Sequence, residues 1–402
     1  MKVKIIRCVL FVLTVLFVFS CKNQAEKSQN DKAKFIKDYR GKRIVGYFPA
    51  RYAASPDYDA GTPYLTHLLL WFYNPDEEYN FYCDEAQEHE VMQLIKKAKH
   101  DNCKVFLSIG GGAVHAASKY ADRYRYLVRP ENHELFARKL VDLAKYYKAD
   151  GIDLDLEGAM ILPGFSEFIA LAKEKLSHNK IELSGAFNIY GGKKLTDEAV
   201  HSFDFINIMA YNESGLFEKK LRNHSSFFHA QKHLNYWTDT RNVAAEKVVL
   251  GVPFYGWYNE FDLAGELLEK RSISFSYVNK HFHNLAEKDN LVEIATDTRK
   301  IVFTFNGVDL IAQKTQLSKD YGGIMIWHIG QDSDDLKLLR TVADNLQYKP
   351  ENIENNDVSD DLTTTTDTTN DLSDVTGDDG VELIEDNGEL RPVKPSDLLP
   401  IN

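Results

Sequence analysis

The chain has 402 residues, 12% of them aromatic, and a formal net charge of −12. The charge is local, because residues 351–402 hold 15 acidic and two basic side chains, whereas the other 350 residues hold 45 acidic and 46 basic ones. No basic stripe is present, so nucleic acid is not an expected partner, and a chain of this length can form one large α/β domain.

The N-terminus has the features of a processing segment. An apolar run over residues 9–19 is too short for a comfortable transmembrane span, and it follows a basic start formed by Lys2, Lys4 and Arg7. The run leads into Val-Phe-Ser-Cys, which resembles a bacterial lipobox. Residues 1–20 are therefore predicted to be a lipoprotein signal peptide with Cys21 as the lipidated residue, and a plain signal peptide with a chance cysteine is the alternative.

A polar tether is expected over residues 21–42, which hold little apolar content before Phe35. With a lipidated Cys21, the protein would be a membrane-anchored lipoprotein of the bacterial cell envelope, at the outer membrane and either periplasmic or surface-exposed. Cys83 and Cys103 remain in the mature body, where they could form a disulfide or could equally be buried thiols. No Cys and His cluster has zinc spacing, so neither a metal nor a cofactor is expected.

Between residues 43 and 348, short apolar runs alternate with segments of helical periodicity, which is the pattern of βα units. Eight alternations predict a (β/α)8 barrel, a TIM barrel of the α/β class, whose functional side chains lie at the C-terminal ends of the strands. The strands are predicted near residues 43–48, 66–73, 103–109, 150–157, 180–187, 203–211, 247–254 and 322–328.

The fourth predicted strand carries the most informative motif, Asp-Gly-Ile-Asp-Leu-Asp-Leu-Glu-Gly at residues 150–158. Side chains alternate between the faces of a strand, so Asp153, Asp155 and Glu157 share one face. Crowded carboxylates repel each other and raise at least one pKa, as a general acid requires. The motif alone leaves a solvated strand face and a metal site open as alternatives.

Further strand-end motifs accompany this acidic strand. The run Val-Phe-Leu-Ser-Ile-Gly-Gly stands at residues 105–111. Together with the acidic strand, it closely resembles the strand motifs of glycoside hydrolase family 18, the chitinase family. The resemblance runs from about residue 43 to 346 and includes residues 45–49, 208–212, 250–256 and 322–327, in the family's order.

This resemblance implies a retaining glycoside hydrolase that cleaves β-1,4 bonds of N-acetylglucosamine polymers, chitin or chito-oligosaccharides. The reaction would be substrate-assisted and pass through an oxazolinium ion. Glu157 would be the general acid, Asp155 would orient the acetamide group, and Asp153 would share a proton with Asp155. Tyr211 would hold the acetamide carbonyl for attack on the anomeric carbon.

The resemblance also implies a set of substrate-binding residues. Trp327 would form the floor beneath the −1 sugar, and Asn212 stands where many family members have Asp. Met209 belongs to the same strand-end motif as Asn212, at residues 208–212. Tyr47 and Phe72 are expected either as aromatic residues of the cleft floor or, equally, as packing residues, and Gly111 is expected at the cleft because glycine lets the chain approach closely.

Two other functions remain open from the sequence. An endo-β-N-acetylglucosaminidase that cuts N-glycan chitobiose cores would use the same mechanism. A catalytically dead carbohydrate-binding lipoprotein is disfavoured because Glu157 is present. The expected partner is a glycan that contains N-acetylglucosamine, with the membrane reached through the lipid anchor, and the protein is expected to be a monomer.

Two later segments complete the chain. Residues 257–321 are longer than an ordinary βα loop and contain strand-like runs at 275–277 and 301–305, so a reduced hairpin is expected there. Residues 349–402 hold too few large apolar side chains to fold alone and are predicted to be a disordered acidic tail, with a sorting or partner-binding tail as the alternative.

Overall fold

A computed structural model describes most of the chain between residues 37 and 347. The predictions for the signal peptide, Cys21, most of the tether, Cys83 and most of the acidic tail lie outside the described residues. The described ranges are 37–81, 85–112, 114–212, 223–282, 285–287, 290–347, 383–386 and 389–392.

Eight parallel strands close into a barrel, which confirms the predicted α/β fold. Their order around the barrel is β1-β12-β7-β6-β5-β4-β3-β2, and the strands β8 to β11 lie in one inserted segment. The bounds are β1 Arg43–Pro49, β2 His67–Trp71, β3 Lys104–Gly110, β4 Gly151–Asp155, β5 Glu182–Phe187, β6 Phe205–Ile208, β7 Val248–Pro253, β8 Tyr255–Asp262, β9 Leu267–Ser274, β10 Leu291–Ala295, β11 Arg299–Thr304 and β12 Gly323–Trp327.

Helices connect the barrel strands and pack on their outer surface. Their sequences show why they form: in the helix over residues 165–178 the buried apolar residues recur every three or four positions, and Ser226 caps another helix by accepting a hydrogen bond from His229 N. The helices are α1 Glu85–His100, α2 Ala121–Leu127, α3 His133–Tyr147, α4 Phe165–His178, α5 Ile189–Gly192, α6 Asp197–Ser202, α7 Phe227–Asn235, α8 Phe275–His281, α9 Val308–Leu317 and α10 Lys337–Leu346.

The barrel separates two apolar cores. The larger core lies between the strands and the helices, and it receives Ile152 and Leu154 from β4. A smaller core fills the barrel interior and includes Tyr47, Phe106 and Phe205. Because side chains alternate along β4, the acids of this strand point toward the interior, where the apolar filling ends and the polar site begins.

The inserted segment differs from the reduced hairpin that the sequence predicted. Strands β8 to β11 form a four-stranded antiparallel sheet in the order β10-β11-β8-β9, and α8 follows β9. The prediction was wrong because β9 is largely exposed or half-buried and carries Glu269, Lys270 and Arg271 in its middle, and β10 is only five residues long and is interrupted by Glu293, so neither has the sequence of a buried strand.

Two further predictions, for the acidic tail and for the cysteines, meet the structure only in part. Within the predicted acidic tail the described residues form two short antiparallel strands, β13 Leu383–Asp386 and β14 Glu389–Pro392. Cys103 is a buried thiol, and burial raises its pKa to about 12. Among the described residues, no helix combines the length and the apolar character needed to cross a membrane.

Candidate active site

The deepest acid of the motif, Asp153, lies fully buried inside the barrel and is surrounded by donors. Its Oδ2 accepts hydrogen bonds from the Tyr47 hydroxyl (2.7 Å) and Ser108 Oγ (2.8 Å). Its Oδ1 accepts from Ser184 Oγ (2.6 Å) and Asn207 Nδ2 (3.3 Å). Burial raises the pKa of Asp153, and these hydrogen bonds oppose that rise because they favour the carboxylate.

Strand register brings these donors together. Asp153 on β4 pairs with Ser108 on β3 and with Ser184 on β5, so the three side chains enter the barrel at one level. The sequence analysis did not identify Ser184 or Asn207. The sequence does mark both residues, since each is a polar residue inside a largely apolar strand, at a position that faces the barrel interior.

Asp155 lies closer to the barrel mouth and has a different environment. Only 3% of it is exposed, and its Oδ1 has no hydrogen-bond partner among the described residues. Burial, followed by the charges of Glu157 and Asp153, raises the pKa of Asp155 well above its usual range. Burial also raises the pKa of Glu157, which lies two residues beyond β4. The outer acids are therefore biased toward their protonated forms.

A group of aromatic rings adjoins the acids at the ends of β1, β2 and β12. The Trp327 ring stacks near Trp71 and Phe72, with centroid distances of 5.2 and 5.8 Å, and meets Tyr47 edge-on at 5.2 Å. Tyr47 was predicted to be a cleft-floor residue, but it is only 1% exposed. Its hydroxyl is committed to Asp153, so the structure makes it a support for the acids rather than a surface for a sugar.

The glycines after β3 permit a close approach of two chain segments. Gly111 has a φ of +79° and donates its N–H to the Asp155 carbonyl at 2.7 Å. A Cβ added at Gly111 would lie 2.0 Å from Phe72 Cε2, a distance that no side chain tolerates. This position therefore requires glycine both for its backbone conformation and for the space beside Phe72.

Tyr211 and Asn212 follow the end of β6 on the opposite side of the acids from Ser108. Burial, with smaller contributions from Tyr255 and the acids, raises the pKa of Tyr211 well above its usual range, so its hydroxyl stays protonated. Asn212 has a φ of +58°, a conformation that Asn tolerates better than most residues. Its Oδ1 accepts from the Tyr255 hydroxyl (2.6 Å) and Trp257 Nε1 (3.1 Å), and the sequence analysis had not identified Tyr255.

A cavity of about 490 Å³ joins these groups at the barrel mouth. Six of the residues singled out from the sequence line it, whereas Asp153 and Tyr47 lie beneath it, and Phe72 and Gly111 are not part of its lining. No group of three His, Cys, Asp or Glu side chains within the described ranges is arranged to hold a metal ion. The six residues are Asp155, Glu157, Met209, Tyr211, Asn212 and Trp327.

The cavity also has a wall that the sequence analysis missed. It comes from the segment after β5 and from α7, and neither carries a motif that identifies it from sequence. Its residues are Asn188, Ile189, Tyr190, Lys193, His229, Lys232 and His233.

Comparison with known proteins places this site among carbohydrate-active enzymes. The model of the family described as glycosyl hydrolases family 18 matches residues 43–332. The probable chitinase 10 of Drosophila melanogaster is 27% identical over 302 residues, which are 62% of this chain but only 13% of that protein. A class V chitinase of Medicago truncatula is 23% identical over 381 residues, 83% of this chain and 96% of that protein.

A solved structure shows the same architecture. The chitinase ChiB from the chitin utilization locus of Flavobacterium johnsoniae superposes with a TM-score of 0.65 at 29% identity, covering 76% of this chain and 94% of that one.

Proposed function

The chain belongs to glycosyl hydrolases family 18 and is therefore a glycoside hydrolase, and we propose that it cleaves β-1,4 bonds of N-acetylglucosamine polymers with retention of the anomer. One observation carries this proposal. The two outer acids, Asp155 and Glu157, have raised pKa values and share one cavity with the protonated Tyr211 and the Trp327 ring. The named relatives are chitinases, which supports chitin or its oligosaccharides as the substrate.

Glu157 serves as the general acid. Its raised pKa keeps a proton available for the leaving glycosidic oxygen, and the same residue then acts as base toward water. Most glycosidases use a second carboxylate as nucleophile or base, but family 18 enzymes use the acetamide group of the substrate instead. The acetamide oxygen attacks the anomeric carbon and forms an oxazolinium ion, which water opens with net retention.

Asp155 and Tyr211 hold the acetamide group in position. The unpartnered Oδ1 of Asp155 is an acceptor for the acetamide N–H, and once Asp155 has passed its proton to Asp153 its charge would stabilise the positive charge that develops on the oxazolinium ion. The protonated Tyr211 hydroxyl donates to the acetamide oxygen. Trp327 forms the apolar floor, and Asp153 exchanges a proton with Asp155 from below. Intramolecular attack gains its rate from this positioning.

An assay on two substrates tests the proposal. The purified chain is incubated with a chito-oligosaccharide and, separately, with a high-mannose glycopeptide, and the products are identified by mass spectrometry and proton NMR. We expect cleavage of the chito-oligosaccharide with the β-anomer formed first. Formation of the α-anomer first would exclude the retaining mechanism. Cleavage of the glycopeptide alone would favour the alternative, an endo-β-N-acetylglucosaminidase.

We further propose that the protein is a monomeric lipoprotein of the bacterial cell envelope, anchored through Cys21. Several acyl chains on one cysteine suffice for stable anchoring. Lys37, near the end of the tether, donates through Nζ to the carbonyls of Thr62, Leu65 and Asp101, which precede β2 and β3. The described end of the tether therefore meets the barrel on the face opposite the cavity.

Cell fractionation tests the anchor. We expect the wild-type chain with the membranes and Cys21→Ala in the soluble fraction. A Cys21→Ala protein that stays with the membranes would refute anchoring through this residue.

A further inference from the structure

One wall of the cavity carries cationic and imidazole side chains that the proposed reaction does not use. Lys193 follows α5, and His229, Lys232 and His233 lie on α7. On α7, the residues at 229 and 233 are one helical turn apart, and their rings lie 4.4 Å from each other. These four residues, called the basic wall below, line the same cavity as Asp155 and Glu157.

The basic wall stands beside the catalytic acids. Strand β4 neighbours β5, which leads into α5, and β6 is the next strand, with α7 following it. Lys194, next to Lys193, donates from Nζ to the carbonyl of Gly158 at 2.5 Å, so this segment contacts the residue directly after Glu157. Trp327 belongs to β12, on the far side of the barrel from β4. A glycan that crosses the acids therefore passes the basic wall.

The two lysines have no counter-ion in the described part of the chain. Both are exposed, neither forms a salt bridge with a described residue, and Lys193 Nζ lies over the Tyr190 ring, 6.0 Å from its centroid. The cavity thus holds two acids, Asp155 and Glu157, and two lysines without a counter-ion among the described residues, and the lysines attract anions to their part of the wall.

His233 adds a buried polar group to the wall. It is 4% exposed, and its Nδ1 has no hydrogen-bond partner among the described residues. Burial, followed by His229 and Lys232, lowers the pKa of His233 to about 3, so the ring is neutral at pH 7. A buried polar atom without a partner is costly, and a ligand group that bonds to it removes that cost.

A second groove, of about 660 Å³, continues outward from the basic wall. It shares Ile189, Lys193 and Lys232 with the cavity, and it contains Phe228, whose side chain is 71% exposed, together with one acid, Asp239. The two lysines thus lie at the boundary between the cavity and the groove.

A chain of N-acetylglucosamine is neutral and needs no ammonium group for its recognition. We infer that this enzyme takes a β-linked N-acetylglucosamine polymer in which a sugar near the cleaved bond carries a carboxylate, held by Lys193 and Lys232. The inference rests on the proposed function and specifies its substrate class. The same lysines would repel de-N-acetylated polymers, whose glucosamine units carry an ammonium group.

Four oligosaccharides of equal length test the inference. One contains N-acetylglucosamine only, one alternates it with N-acetylmuramic acid, one alternates it with glucuronic acid, and one includes glucosamine. The two acidic oligosaccharides separate a lactyl ether from a uronic acid as the source of the carboxylate. The value of kcat/KM is measured for the wild-type chain, for the double variant Lys193→Met with Lys232→Met, and for Lys96→Met, an exposed lysine of α1 outside the cavity.

We expect the wild-type chain to prefer an acidic oligosaccharide over the neutral one and to discriminate against the glucosamine oligosaccharide. The acidic-to-neutral ratio should fall by about three- to tenfold in the double variant, as expected for the loss of two exposed ion pairs, and should be unchanged in Lys96→Met. Raising the ionic strength from about 0.05 M to about 0.5 M should also lower the acidic-to-neutral ratio of kcat/KM of the wild-type chain, because salt screens the charges of the lysines.

An unchanged ratio in the double variant would overturn the inference while leaving the proposed function intact. If no oligosaccharide is cleaved, the proposed function fails, and calorimetric binding to Glu157→Gln still decides the charge preference without turnover. Equal binding of the acidic and neutral oligosaccharides in that experiment overturns the inference, and tighter binding of an acidic one that is lost in the double variant supports it.

Discussion

Replacing Asp155 with Asn is predicted to raise the stability of the protein and to lower its turnover. Its carboxylate is buried, one of its oxygens lacks a hydrogen-bond partner, and its pKa is raised by burial and by the neighbouring acids. A carboxyl group whose pKa is higher in the folded than in the unfolded chain adds stability below its unfolded pKa, near 4, and that contribution is lost as the pH rises through the folded pKa. The wild-type protein should therefore become less stable above the ordinary range of an aspartate.

The change Asp155→Asn removes the charge while keeping the shape. A buried charge without a partner costs more than a buried neutral amide without one, so replacing the carboxylate with the amide should stabilise the protein by about 1–2 kcal/mol at pH 8, although the Asn oxygen still lacks a partner. For a barrel of about 300 residues, with an unfolding entropy of about 2.1 cal/mol/K per residue, that gain corresponds to an increase in Tm of about 2–3 °C. At pH 4 the folded wild-type carboxyl is already protonated, so the two proteins should melt within about 1 °C of each other. Turnover should fall by about 10²–10³-fold, the usual effect of removing one group that stabilises transition-state charge.

Asp153→Asn is the matched control on the same strand. Asp153 accepts four hydrogen bonds, and an amide nitrogen in place of one oxygen would oppose two of the donors. This variant should therefore lose stability, by about 1–3 kcal/mol. Thermal unfolding followed by circular dichroism at both pH values, with kcat measured on a chito-oligosaccharide, checks all three proteins. An Asp155→Asn protein that melts no higher than the wild type at pH 8, or equally higher at pH 4, would refute the reasoning.

Three further predictions concern the acid, its neighbour and the last helix. Glu157→Gln should reduce kcat on an unactivated oligosaccharide by about 10²–10⁴-fold with little change in Tm, and wild-type turnover would contradict its role as general acid. Asn212→Asp should move the basic limb of the pH profile of kcat/KM to higher pH, because a new negative charge in the cavity raises the pKa of the acids. The shift should be a fraction of a pH unit, since position 212 is exposed, and superimposed profiles would show that this position does not act on the acids. Asp332→Ala should destabilise the fold by about 1–3 kcal/mol in chemical denaturation, because the carboxylate accepts hydrogen bonds from Leu338 N (3.1 Å) and Leu339 N (2.8 Å) at the start of α10, and an unchanged denaturation midpoint would refute this capping role.

The sequence predicted the barrel because buried parallel strands are apolar runs separated by amphipathic helices. All eight barrel strands lie within a few residues of the predicted ranges, and the acidic motif ends β4 as expected. The inserted sheet was not predicted, since its outer strands β9 and β10 are exposed or half-buried and charged residues interrupt both of them. Strand alternation also correctly placed Ile152 and Leu154 on the face opposite the acids, in the outer core.

The parts of the site that the sequence did not predict come from elements that are distant along the chain. Ser184 and Asn207 bond to Asp153 because the closed barrel aligns β5 and β6 with β4; their polar side chains within apolar strands are visible in the sequence, but their shared partner is set by this alignment. The basic wall depends on the position of α7 relative to the barrel mouth. Tyr47 was misplaced because an aromatic residue at a strand end can face either the cleft or the interior, and only the Asp153 contact decides between them.

The depth of each acid along β4 explains why the motif needs more than one. Asp153 is deep enough to meet donors from four strands, so its hydrogen bonds are filled by the protein and it has no free oxygen for a ligand. Asp155 lies one pleat higher, above those donors but still shielded from water, and its unpartnered oxygen is left for the substrate. Glu157 lies beyond the strand and is the most accessible acid. The three carboxyl groups are chemically similar, but their environment changes along the chain from inside the barrel to its mouth. Asp153 therefore supports the site, Asp155 orients the substrate and Glu157 acts as the acid.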